Sequence, residues 1–174
     1  MIRRFALASA ILIAAASATP AMASTATENL DISATVPESC AITAEPIAFG
    51  NYDPIVTHAE VPLTTTGTLT VQCTMGTSAT ILLGQGANAA SGSTNSSPYR
   101  RLAGDGGGSL DYNISKDGAG NNTWGNTTGT GHSITGTGSS QDISVYLSIP
   151  PAAAQSNTVV VGTYTDTVVA TVSY

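Results

Sequence analysis

GTYTDTVVATVSY, residues 162–174, carries the plainest structural signal in the chain. Its even positions Tyr164, Val168, Ala170, Val172 and Tyr174 are apolar, and only Asp166 interrupts them. Its odd positions Thr163, Thr165, Thr167, Thr171 and Ser173 are hydroxylic, and only Val169 interrupts them. Period-two alternation puts one face of a strand on a core and the other in water. A strand must pair its backbone groups on both sides or leave an open edge. The question is what lies beside this one.

The same pattern recurs upstream. ENLDISATV, residues 28–36, sets Leu30, Ile32, Ala34 and Val36 on one face, and Pro37 stops it. Short strands are predicted at Cys40 to Thr43, at Gly67 to Thr74, in SLDYNISK (109–116) and in QDISVYLSIP (141–150). SATILLGQG (78–86) is almost continuously apolar, which predicts a strand buried on both faces. Sustained helical periodicity is absent. Seven or eight short strands separated by turn signals describe a β-sandwich or barrel. Two Gly-, Ser-, Thr- and Asn-rich stretches, around residues 86–98 and 117–141, read as loops. Trp124 stands alone in the second, as a packing anchor or a binding platform.

The first residues, MIRRFALASAILIAAASATPAMA, combine two arginines, a short apolar run and a closing A-x-A. That is the form of a secretory signal peptide spanning residues 1–23. Its removal leaves Arg100, Arg101 and Lys116 as the only cations against 11 Asp and Glu. So acidic a chain is a poor partner for nucleic acid or anionic lipid, which require Lys and Arg to displace counterions. In an oxidising compartment the two cysteines, Cys40 and Cys73, read as a disulfide. Free thiols or a metal site are the alternatives, and the two histidines lie far from both cysteines in sequence.

Chemistry finds little support. DGAGNN, from Asp117, lacks the ligand series and the twelfth-position Glu of a calcium loop. GDGGGS, from Gly104, lacks the Lys of a phosphate loop. No G-x-S-x-G is present, and His58 and His132 both sit in polar stretches. The reading is of a protein that is not an enzyme and takes no metal or cofactor.

Alternating strands therefore stand near both ends of the chain once the leader is removed, and they pair either within one molecule or between molecules. Here the residues resemble a family. ISATVPESCAI, FGNYDP, LTVQCT, YRRL, LDYNISKDG, WGN, VYLSIPP and the closing GTYTDTVVATVSY occur in the order found in the spore coat protein U-like domain. That family includes the pilins of the archaic chaperone–usher pathway. Ser115 and Leu147 depart from it, standing where an aromatic and a Gly are common.

The resemblance implies an all-β fold, an incomplete immunoglobulin-like sandwich completed by donor-strand complementation. It implies a donor extension at residues 24–36 ahead of a domain at 37–174. Leu30, Ile32, Ala34 and Val36 are then the donor residues. Val168, Ala170, Val172 and Tyr174 form a wall of the acceptor groove, and a Cys40–Cys73 disulfide ties the first two strands of the body. The implied partners are a periplasmic chaperone, an outer-membrane usher and further copies of the same or a related pilin, joined head to tail. The implied route runs through the inner membrane to the periplasm and then to a surface pilus serving adhesion or biofilm formation. A self-contained secreted lectin or adhesin, and a spore coat structural protein, are the alternatives.

Overall fold

The computed structural model describes residues 22–174, so the signal-peptide reading falls almost wholly outside the described residues. Residues up to Thr35 form one unit and Val36–Tyr174 another. In the described part of the first unit, residues 22–35 are exposed and belong to no strand. The alternation of residues 28–36 was expected to make a strand. Without a partner its backbone has no ladder to join.

The body is built from nine strands. They are β1 (Cys40–Ala44), β2 (Leu63–Cys73), β3 (Ser78–Leu83), β4 (Arg100–Gly104), β5 (Ser109–Ser115), β6 (His132–Thr135), β7 (Ser140–Ile149), β8 (Tyr164–Thr165) and β9 (Ala170–Ser173). One sheet has the order β1-β2-β7-β5-β4-β8 and the other β6-β3-β9, and every pairing is antiparallel. Alternate residues of both sheets turn inward. Leu69 and Val71 from β2, Ile81 and Leu83 from β3, Tyr112 and Ile114 from β5, and Val145 and Leu147 from β7 make one buried core. The fold is an all-β sandwich, one of the two architectures the short strands implied, and it is left open as the family resemblance implied.

Cys40 faces Cys73 in the β1–β2 register, and their sulfurs are bonded at 2.04 Å. β1 is an edge strand of five residues with little burial, so this bond is its firmest attachment. The disulfide marks one pole of the sandwich, together with the turn after β2. At the opposite pole, Leu63 of β2 faces Ile149 of β7, close to Pro54 and Pro150.

Two expectations need correction. β3 is not equally buried on both faces, because Ala79, Ile81 and Leu83 are buried whereas Thr80 and Leu82 are half-buried. The backbone at Gly131 closely covers Thr80 and Leu82, but only in part. The closing stretch is also not one strand. β8 pairs with β4 in the large sheet, and β9 pairs with β3 in the small one. The chain crosses between sheets at Asp166, the residue that broke the alternation. Its carboxylate accepts bonds from the Tyr112 hydroxyl at 2.7 Å and from the Asn88 backbone and side-chain amides, each at 3.1 Å. Gly86, at a φ of 91°, passes so close to this carboxylate that a Cβ there collides with it. The even positions 164–172 remain half-buried throughout, so the face is kept although the sheet changes.

Candidate functional site

The sandwich is not closed. An open apolar cleft of about 1230 Å³ runs along one side of it. One rim is the end of β1 and the irregular segment after it, Ala44 to Pro54. The other rim is Val159 to Ala170, with β8 and the crossing at Asp166. The floor is the core itself, where Leu69, Leu83, Tyr112, Ile114, Leu147 and Ile149 face the opening. Side chains of a hydrophobic core normally touch protein on all sides. Here no strand lies between the two rims, although the floor residues are themselves no more than 8% exposed.

Each rim is positioned by specific contacts. Ile47 lies over Gly67 of β2, where any side chain would displace it. Phe49 meets Tyr112 edge to face, with centroids 6.2 Å apart. The Tyr52 hydroxyl donates to the Pro150 carbonyl at 2.9 Å. On the far rim, the Tyr164 hydroxyl donates to the Val160 carbonyl and accepts from its amide. Near the disulfide pole β1 and β9 lie side by side without a ladder between them, so the cleft narrows there.

Beneath the floor a polar frame fixes the geometry. Arg100 is buried, and its guanidinium donates to the carbonyls of Gly84 at 2.9 Å, Leu83 at 3.0 Å and Trp124 at 2.8 Å. It thereby staples β4 of one sheet to the end of β3 in the other. Burial lowers its pKa to about 10 against the favourable fields of Tyr112 and Asp166, so it remains a cation at neutral pH. Burial, and then the bond to Asp166, push the Tyr112 hydroxyl well above its ordinary value. The Tyr112–Asp166 pair lines the cleft among apolar side chains, as do the polar residues Glu45, Asn51, Thr163, Thr165 and Thr167.

Of the residues singled out from the sequence, Val168 and Ala170 line the cleft. Val172 packs half-buried against the core beyond the narrow end, and Tyr174 is exposed; neither is part of the lining. Val159, Tyr164 and Asp166, which the sequence did not assign to the groove wall, stand on that rim with them. Leu30, Ile32 and Val36 are 84%, 87% and 78% exposed, and Ala34 is exposed with them.

The stretches considered for chemistry have other duties. Trp124 is fully buried and its indole N–H donates to the Ile81 carbonyl at 2.8 Å, so it is a packing anchor. The Asp117 carboxylate accepts from the backbone amides of Asn121 and Asn122 and from the Asn122 side chain, which closes a polar turn. His58 stacks on Tyr52, and its Nδ1 accepts from the Asp53 amide. His132 is tilted against Trp124 and begins β6, within a stretch expected to be loop. Among the described residues no cluster of His, Cys, Asp and Glu is arranged to hold a metal ion.

The Spore Coat Protein U domain family matches residues 26–171. The chain belongs to this family. Protein U of Myxococcus xanthus is 40% identical over 162 residues, covering 89% of this chain and 88% of that protein. Among solved structures, the fold is similar to a chain in the complex of the chaperone CsuC with CsuE, a tip adhesion subunit. That pre-assembly complex is from the archaic chaperone–usher Csu pili of Acinetobacter baumannii. The TM-score is 0.55 at 21% identity, over 80% of this chain and 40% of that one. The sandwich is thus a known architecture, and both rims of its cleft lie within the residues matched to the family.

Proposed function

We propose that this chain is a structural subunit of a surface fibre, assembled through a chaperone–usher system by exchange of the missing strand. One observation carries the reading: an apolar cleft opens into the core, and the same chain carries an exposed alternating segment, Leu30 to Val36, with no strand partner. A strand added to an open edge gains a backbone ladder, while its alternate side chains fill the groove. In this account residues 1–23 are the signal peptide, 24–36 the donor and 37–174 the acceptor body. A periplasmic chaperone fills the cleft first, and an outer-membrane usher mediates replacement by the donor of the next copy. The product stands on the cell surface and serves adhesion or biofilm formation.

The rims set the direction of the guest strand. β1 and the segment to Pro54 run from the disulfide pole to the proline pole, and Val159 to Ser173 run back. Pro37 and Ser39 are tied to Thr74 at the disulfide pole, so the chain's own donor departs there. A guest ending at that same pole would bring its body against the departing donor and block growth. A guest ending at the proline pole leaves both ends free, and repetition gives an open head-to-tail filament. The family's description favours a second setting for the same polymer, a spore coat.

The test is deletion of residues 24–36 behind an intact signal peptide. The shortened chain should accumulate with the chaperone and form no multimers of its own. Multimers of unchanged size distribution would refute the donor assignment.

A further inference from the structure

The proline pole ends in a loop that holds two apolar side chains out in water. Ile55 and Val56 are 81% and 77% exposed. Their position is not slack. The Asp53 carboxylate accepts from the Ile55 amide at 3.0 Å and the Val56 amide at 3.1 Å. The His58 amide donates to the Asp53 carbonyl at 2.8 Å, and the Asp53 amide donates to His58 Nδ1 at 3.0 Å. The His58 ring stacks on Tyr52, and its carbonyl accepts from the Ala152 amide at 2.8 Å. A rigid loop presenting two adjacent apolar groups is an unusual use of surface in so small a body.

At the disulfide pole, the turn after β2 presents Met75, 76% exposed. This turn is fixed as well. The Thr77 amide donates to the Thr74 carbonyl at 3.0 Å, and the Gly76 amide donates to the Gly136 carbonyl at 2.9 Å. Thr74 also grips the segment that joins donor to body. Its hydroxyl donates to the Pro37 carbonyl at 3.3 Å, and its amide donates to the Ser39 carbonyl at 2.9 Å.

We infer that the loop bearing Ile55 and Val56 docks against the Met75 turn of the next copy, making a second contact between neighbouring subunits. The inference rests on the strand-exchange reading and adds to it. Only Pro37, Glu38 and Ser39 separate the last donor residue, Val36, from Cys40. The four Cα–Cα steps from Val36 to Cys40 span at most about 14 Å. A donor that ends at the proline pole therefore brings the disulfide pole of its own body to that pole. Pro54, next to Ile55, and Tyr52 already line the cleft, so the loop continues the surface that the donor occupies. Because Thr74 binds the linker, Met75 is carried in with it. The contact covers apolar groups at both poles and fixes the angle between successive subunits.

The test places the photo-crosslinking residue p-benzoylphenylalanine at Ile55 and, separately, at Val56, in the full-length secreted chain. Assembled fibres are irradiated, boiled in detergent and digested for mass spectrometry. The expected result is a covalent dimer that survives boiling, with its cross-link in residues 74–77 of the second copy. Met75→Asp should remove most of that cross-link. Detergent-resistant multimers without a cross-link, or with one mapping to another surface, overturn the pole contact and leave strand exchange standing. Absence of detergent-resistant multimers from unsubstituted fibres overturns the strand-exchange reading and the contact with it.

Discussion

A strand joined to the C-terminus should complete this sandwich within a single chain. β9 runs toward the disulfide pole, and Tyr174 follows it there. A copy of residues 24–36 placed after Tyr174 through a short turn then starts at that pole and runs along the cleft in the proposed direction. The native segment 24–36 is removed so that only the tethered copy can dock. Ile32 is 87% exposed in the free chain, so docking buries nearly all of it. Burial of such a side chain contributes about 1.5–3 kcal/mol. Cutting it to Ala loses that contribution and leaves a void, for roughly 2–5 kcal/mol in total. Its neighbour Ser33 faces the other way, and Ser33→Ala should change stability by less than about 0.5 kcal/mol. Urea unfolding of the tethered monomer measures both. Ile32→Ala should lower the midpoint strongly with an unchanged slope, since the surface exposed on unfolding is nearly the same. Equal effects at positions 32 and 33, or no stabilisation by the tethered strand, would refute the alternation argument.

Four further outcomes follow from the body. Replacing Cys40 and Cys73 with Ala opens a loop of sequence separation 33 and should cost about 3–4 kcal/mol in the same tethered chain, read by urea unfolding. Arg100→Met leaves the carbonyls of Leu83, Gly84 and Trp124 without their donor, and should cost about 3 kcal/mol or more. Arg101→Met loses a partly exposed pair with Asp111 and should cost less than about 1 kcal/mol. Backbone bonds from Ile55 and Val56 hold the Asp53 pKa below its ordinary 3.8. A depressed carboxylate pKa stabilises the loop at pH values above 3.8, and that stabilisation is lost as the pH falls through the folded value. Amide exchange at Ile55 and Val56, corrected for intrinsic rates, should therefore show protection at neutral pH that fades below pH 3.8.

Much of this architecture was written in period-two alternation. β2, β5 and β7 lie close to where the pattern put them, because each buries one face on a single core. The disulfide was legible from compartment and count. The alternation of residues 28–36 was equally legible, but a pattern states which face is apolar and not where its partner is. The break at Asp166 was visible as one wrong residue. Its meaning, a crossing between sheets, depends on Tyr112 and Asn88, both distant in sequence. Arg100 and Arg101 look alike in YRRL, yet one staples two sheets and the other lies on the surface side. That distinction comes from strand parity within β4, a strand too short to announce itself. β6 was hidden in a glycine-rich stretch because its anchors, Trp124 and His132, act through tertiary contact.

On the proposed reading, copies of this chain are locked together by exchanged strands. That reading is tested most directly by a denaturing gel of surface material from the native host, run without heating and probed for this chain. Exchanged strands should give a ladder of detergent-resistant multimers that collapses to one monomer band on boiling. A single monomer band in the unheated lane, with the protein free in the periplasm or medium, would contradict it.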